Sequence, residues 1–183
     1  MIVCAGKTEE FSFALPIGVG LIQSAINLTR LALFDKPEYL LFIGTAGSYG
    51  KYKIFDIVES TIASNIEISF FEGKSYTPID NVISSQGFNV SHETFKKVIV
   101  NSSNYICTDK EISKRYLKYG IEIENMEFYS VINVAKEYEI PVKGVFAVTN
   151  YTDKNAHKEY MQNYKKAKDI LINYLKEEMK IIK

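Results

Sequence analysis

The sequence predicts an α/β fold, three layers deep in the α/β/α sense, with a central mixed and largely parallel sheet. Three observations carry this. Apolar, β-branched runs alternate along the chain with segments of helical period. The stretch "EYLLFIG" is apolar without interruption, as a strand covered on both faces must be. The polar and glycine-containing residues gather where strands end, which is where open α/β sheets hold their ligands.

The elements follow in order. "MIVCAG" reads as a short buried strand and "FSFALPI" as a second. In "GVGLIQSAINLTRLALFD", Val19, Ile22, Ile26 and Leu33 recur roughly at helical spacing, and Leu21, Ala25, Leu28 and Ala32 widen the face, so a mostly buried helix is expected. "EYLLFIG" is the next strand, "TAGSYGKYK" a turn, and "FDIVESTIASNIEISFF" a β-branched, partly alternating run. Residues 72–91 lack a period and read as a loop holding at most one short strand. "KKVIVNSSNYICTD" begins as a strand, and "DKEISKRYLKYG" is an amphipathic helix stopping at Gly120. The strand "IEIE", a helix over 126–139, the strand "VKGVFAVTN" and a helix from about residue 154 complete the chain. The core stripe expected of that last helix is Met161, Tyr164, Leu171, Tyr174 and Leu175.

Composition narrows the function classes. A chain of 183 residues that is 46% hydrophobic can bury one sizeable core, so a single domain over 1–183 is expected. Its 22 basic and 22 acidic residues cancel, which removes the electrostatic argument for nucleic-acid or anionic-membrane partners. Cys4 and Cys107 are far apart and lack metal-ligand spacing, fitting a reducing cytoplasm and no structural metal. The opening "MIVCAGKTEE" has no basic region ahead of a long apolar run, so neither a signal peptide nor a membrane span is expected.

Six polar clusters fall at presumed strand ends: Glu9–Glu10, Gly18–Gly20, Gly44–Tyr49, Asn101–Tyr105, Asn125–Glu127 and Asn150–Asp153. Turns are polar anyway, which explains any one cluster but not the set. "GVGLIQ" starts like a dinucleotide fingerprint, yet Gln23 stands where its third glycine belongs. "IGTAGSYG" could offer backbone N–H groups with the Thr45 and Ser48 hydroxyls to an anion or sugar, but it lacks the lysine of a phosphate-binding loop. At Met126–Glu127 a carboxylate precedes the apolar "FYSVINVA", and such a residue needs a partner or a ligand.

Taken in order, "FIGTAGSYGKYKIFDIV", "ENMEFYSVINVA" and "VFAVTNYTD" resemble the purine nucleoside phosphorylase and methylthioadenosine (S-adenosylhomocysteine) nucleosidase superfamily. The likeness spans nearly the whole chain, and "ALPIGVGLIQSAINLTRLAL" is similar to that family's strand–helix opening. It implies a nucleoside phosphorylase-like fold and cleavage of the N-glycosidic bond of a purine nucleoside. Met126 would lie beneath the ribose, and Glu127 would take its 2′- and 3′-hydroxyls. Breaking that bond builds an oxocarbenium-like sugar, and a carboxylate bonded to its hydroxyls favours the growing charge.

The resemblance assigns the other positions one by one. Glu10 would activate water, the alternative being a surface acid beside Glu9. Thr45 would stand near the nucleophile, while Tyr105 and Ile106 would pack on the base. Gly18 and Gly20, with Thr45, would form the phosphate or water site. Asn150 stands where many members have an aspartate that protonates the purine; an amide cannot give up a proton, though it can hydrogen-bond a 6-oxopurine, as an asparagine does in the trimeric phosphorylases. Arg30 and Arg115 are the chain's two arginines, and Phe42 replaces the arginine of the hexameric phosphorylases, so water is favoured over inorganic phosphate as nucleophile. A phosphate-dependent phosphorylase and a nucleoside-binding protein impaired at Asn150 stay open. No cofactor or metal is expected, phosphate would be the co-substrate of a phosphorylase, and a homodimer or larger homo-oligomer is the implied assembly.

Overall fold

The computed structural model describes residues 1–86 and 98–182. Its axis is β3 (Leu40–Ser48), buried at every residue. On one edge β3 pairs in parallel with β9 (Val142–Tyr151), and β4 (Ile57–Ser60) runs antiparallel along the far side of β9. On its other edge β3 pairs in parallel with β1 (Ile2–Cys4), which continues to β2 (Leu15–Pro16). Beyond Ala46 the place of β1 is taken by β8 (Ile123–Glu124), antiparallel to β3 at Gly47 and Ser48. From β8 the sheet runs in parallel to β7 (Ile99–Asn101) and β5 (Ile62–Ser64), and ends on the antiparallel β6 (Val82–Ser84).

Alternation along β3 builds the layers. Leu40 and Phe42 point into a core shared with α1 (Leu21–Asp35) and α4 (Phe128–Glu137), while Leu41 and Ile43 point the other way, onto Leu171 and Leu175 of α5 (Ala156–Glu177). A third cluster, with Tyr49, Ile66, Cys107, Ile112, Tyr116 and Ile121, packs beneath α2 (Ile68–Phe71) and α3 (Lys110–Lys118). This is the expected α/β architecture: a mixed sheet, largely parallel, between helical layers.

Four details differ from expectation. The strand "EYLLFIG" does not stop at the glycine turn but continues through Ser48, since β9 pairs with it along its whole length. The helix α1 is not mostly buried. Ser24, Leu28, Leu31 and Ala32 face inward, at the spacing of one helical face, while Val19, Ile22, Ile26 and Leu33 are exposed. Ser24 satisfies its hydroxyl within the helix, donating to Gly20 O at 2.7 Å, which lets a polar residue take an inward position. Of the stripe expected on α5, Met161 is half exposed, because the helix begins beyond the edge of the core. The "FSFALPI" run forms strand only at Leu15–Pro16. The loop over 72–91, by contrast, holds one short strand, β6, as expected, its residues from 87 on lying outside the described ones.

Candidate active site

A cavity of ≈ 240 Å³ opens where β1, β3 and β9 end. Each of the six polar clusters contributes to it: its lining includes Glu9, Val19, Thr45, Gly47, Ser103, Tyr105, Ile106, Glu124, Asn125, Met126, Glu127 and Asn150, with His157 and Tyr160 from α5.

One end is built around two carboxyl groups. After β1 the chain turns sharply, with Gly6 at φ 92° and Lys7 at φ 57°, and the Glu9 N–H donates to Gly6 O at 3.1 Å. That turn aims Glu9 inward, where its carboxyl accepts from Thr45 N at 2.8 Å and Thr45 Oγ1 at 2.5 Å. Gly44 makes this approach possible: a Cβ there would stand 2.8 Å from Glu9 Oε2. Opposite, Glu127 is buried at the start of α4 and accepts from Gly20 N at 2.8 Å. Asn125 fixes that helix start, its carbonyl oxygen accepting from Glu127 N and Phe128 N, both at 3.0 Å, while its amide donates to Thr45 O at 3.1 Å.

The two carboxyls are electrostatically split. Burial, then the nearby charge of Glu9, pushes Glu127 up to about 8. Burial also raises Glu9, but the hydrogen bonds from Thr45 and the Lys168 ammonium pull against it. Within the pair, negative charge is therefore better accommodated on Glu9 than on Glu127.

The other end is built across Gly47. A register shift between Ala46 and Gly47 leaves Thr149 as an extra residue on β9, so that Asn150 comes opposite Gly47. On the other edge of β3, Gly47 pairs with Glu124. The Asn150 amide donates to Tyr151 O at 3.1 Å and accepts from Thr149 Oγ1 at 2.8 Å, which leaves one hydrogen and one lone pair for a ligand. Glu124 accepts from Tyr49 Oη at 3.0 Å and Cys107 N at 3.2 Å, and burial raises it to about 8.

Thr45, Met126, Glu127, Asn150, Tyr105 and Ile106 therefore meet in one cavity, the last two at its mouth, where Tyr105 is 83% exposed. Glu10 does not. Its side chain is exposed and outside the lining, because the Gly6–Glu9 turn brings in its neighbour. It is its backbone that is engaged, the N–H donating to Lys7 O at 3.2 Å and the carbonyl accepting from Lys168 Nζ at 2.6 Å. Gly18 and Gly20 also fall outside the lining. Their N–H groups are committed to Ala5 O at 3.0 Å and to Glu127, so they do not present a free anion cradle. Glu9 and Asn125 fall in the polar clusters and Glu124 in "ENMEFYSVINVA", yet motifs alone give none of the three a role. For Glu124 the available signal is the "IEIE" alternation, which puts a carboxylate in a strand beside Met126.

A family model described as the phosphorylase superfamily matches residues 2–177. The chain belongs to that superfamily. Among solved structures, a 5′-methylthioadenosine-bound mutant of a Helicobacter pylori enzyme superposes with a TM-score of 0.79 at 17% identity, covering 99% of this chain and 97% of that one. Futalosine hydrolase of the same organism gives 0.79 at 16% identity over 99% and 97%. The 5′-methylthioadenosine/S-adenosylhomocysteine nucleosidase of Neisseria meningitidis, in complex with methylthio-immucillin-A, gives 0.73 at 15% over 92% and 93%. A search of curated proteins finds no match. At these identities the superposition establishes the superfamily's fold. Among the described residues no helix is long and apolar enough to cross a membrane.

Proposed function

We propose that this member of the phosphorylase superfamily is a nucleosidase, cleaving the N-glycosidic bond of a purine nucleoside with water as nucleophile. The observation that carries the reading is Glu9, clamped by the Thr45 N–H and hydroxyl inside the same cavity as Glu127. A carboxylate so held can take a proton from water and set its negative charge near the sugar as positive charge grows there, while an acceptor oxygen of Glu127 engages a ribose hydroxyl and positions the ring. Met126 lines the cavity next to Glu127, as a surface beneath the ribose would. Tyr105 and Ile106 stand at the mouth, available to cover a base.

The same geometry disfavours phosphate. The Thr45 groups that would bind it already serve Glu9, whose charge would repel a second anion. Arg30 and Arg115 do not line the cavity, and Arg115 donates to Phe71 O at 2.8 Å. We therefore read the reaction as needing neither inorganic phosphate nor a cofactor. Asn150 favours the competing reading, a nucleoside-binding protein without turnover, because an amide cannot protonate a leaving base.

The reading includes a homodimer. Val19 lines the cavity, and the exposed Ile22 and Ile26 continue from it along α1, an apolar strip that a second copy would cover beside the site. Turnover of inosine, guanosine, adenosine and methylthioadenosine, each with and without phosphate, tests the function. The free sugar as product (ribose, or methylthioribose from methylthioadenosine), formed at equal rate without phosphate, is the expected result. Strict phosphate dependence with ribose 1-phosphate as product would assign the chain to the phosphorylases, and binding without turnover would favour the impaired protein.

A further inference from the structure

The base end of the cavity poses a problem that the nucleosidase reading leaves open. A purine leaves readily only when its ring nitrogen is protonated, and Asn150 has no proton to give. The structure places a carboxyl group beside it. Glu124 and Asn150 are the two cross-strand partners of Gly47, one on each edge of β3, and both line the cavity. A Cβ on Gly47 would lie 3.2 Å from Glu124 Cγ and 3.1 Å from Asn150 Nδ2, so the two side chains converge on the space that the glycine leaves open.

The carboxyl is held by neutral donors. Tyr49 comes from the residue after β3, Cys107 N from the segment before α3, and Tyr116 of α3 stacks on Tyr49 with ring centroids 4.3 Å apart. Tyr116 is itself anchored, donating to Ile66 O at 2.7 Å. These facing groups, Tyr49, Cys107 and Tyr116, carry no positive charge, and Glu127 and Glu9 across the cavity are also acids. Lys7 and His157 line the same cavity, but the groups that pull Glu124 down are the neutral Tyr49 hydroxyl and Cys107 N–H. A carboxyl in such a place keeps its proton at neutral pH, and burial does raise it to about 8.

Building on the nucleosidase reading, we propose that Glu124 is the general acid for the leaving base and that Asn150 orients the same base edge. As the C1′–N bond breaks, its electron pair passes to the base, and the Glu124 proton moves to a ring nitrogen such as N7, so the base departs neutral. The Glu124 carboxylate that results is stabilised by the Tyr49 hydroxyl and the Cys107 N–H already in place. Water adds to C1′ and yields its proton to Glu9, and exchange with solvent returns one proton to Glu124 and removes one from Glu9. The step consumes one water and needs no other reagent. It also defines the substrate class as nucleosides whose base carries a ring nitrogen able to accept a proton.

The experiment compares two substrates in wild type and Glu124→Gln: a purine nucleoside, and 4-nitrophenyl β-D-ribofuranoside, whose leaving group departs without protonation. The isosteric variant is expected to lose about 10²–10⁴-fold in kcat on the purine and little on the nitrophenyl riboside. Adding Asn150→Asp to Glu124→Gln is expected to recover at least about tenfold on the purine, by supplying an acid from the adjoining position. Equal losses on both substrates, or no loss on either, would overturn the assignment while leaving a wild-type nucleosidase in place. Should wild type cleave neither substrate, the nucleosidase reading falls and takes Glu124 with it. Wild-type pH profiles serve if the variant does not fold. Glu127 titrates in the same range, so the decisive feature is a steeper fall above about pH 8 for the purine than for the nitrophenyl riboside, and identical profiles would overturn the proposal.

Discussion

The two ends of the cavity solve the burial of a carboxyl group differently. At the Thr45 end, Glu9 takes two hydrogen bonds from Thr45 and feels the Lys168 ammonium, which favour its charged form and oppose, without overcoming, the rise that burial imposes. At the base end, Glu124 accepts from a phenol and one backbone N–H, too little to offset desolvation. Burial raises both carboxyls, and the donors at each end set how far: a cation and two donors oppose it at Glu9, only neutral donors at Glu124. Glu127 lies between, pushed up by the charge of its neighbour as well as by burial.

The largest effect expected is at Glu9. Glu9→Gln should lower kcat by about 10²–10⁴-fold, since the amide cannot take a proton from water, while Glu10→Gln should leave it within about twofold. The pair separates two adjacent glutamates by the turn that aims only one of them inward. A strong loss in Glu10→Gln with none in Glu9→Gln would reverse the assignment. Glu127→Ala follows, with kcat/KM down by about 10²–10³-fold as the ribose hydroxyls lose their acceptor. An unchanged rate in a folded Glu127→Ala protein would remove the sugar site from this cavity.

How far the sequence reveals this comparison depends on the scale of the signal. Apolar runs and the Met126–Glu127 junction report the sheet, the superfamily and one wall of the cavity, because strand burial and helix starts are local. The choice between Glu9 and Glu10 depends on a left-handed Lys7, which no pattern of hydrophobicity records. The glycines of "IGTAGSYG" suggest a turn, yet Gly44 and Gly47 lie inside a strand, where they clear space for Glu9 and for the Glu124–Asn150 pair. The outer face of α1 misleads for a related reason: Ile22 and Ile26 are apolar at helical spacing, but α4 and the sheet meet the opposite side. The "IEIE" alternation marks Glu124 as a strand carboxylate, but its place across Gly47 from Asn150 becomes legible only once β8 is seen to pair with the end of β3, a contact between residues far apart in sequence.

At the base end, Asn150→Asp should shift specificity more modestly. The wild-type amide suits a 6-oxopurine, to whose O6 or N7 it can donate, whereas a carboxyl can also accept from a 6-amino group. Losing or gaining one buried hydrogen bond is worth about 1–3 kcal/mol, so the ratio of kcat/KM for inosine to that for adenosine should fall by about tenfold to a hundredfold. A wild type that prefers adenosine, or a ratio that the substitution leaves unmoved, would show that Asn150 does not read the base.

The smallest effect is on stability, and it tests both ends at once. Glu124 and Glu127 are each raised from an ordinary 4.5 to about 8, so the folded protein holds their protons more tightly than the unfolded chain does. The stability this contributes is present in full below about pH 4.5 and is lost as the pH climbs through about 8. Every tenfold gain in proton affinity on folding corresponds to about 1.4 kcal/mol, and coupling to Glu9 makes the two contributions less than additive. For a chain of this length about 1 kcal/mol moves Tm by roughly 2–4 °C, so Tm at pH 6 should exceed Tm at pH 9 by several degrees. Glu124→Gln and Glu127→Gln should each flatten part of that slope, because an amide buried in the same place has no proton to lose. Glu9→Gln should remove the share that Glu9's own burial-raised carboxyl contributes and lessen that of Glu127, whose neighbouring charge it deletes, while leaving the Glu124 share of the slope intact. A Tm that holds steady or rises between pH 6 and pH 9 would mean that both carboxyls are already ionised in the folded protein, and the acid at the base end would lose the proton it is supposed to deliver.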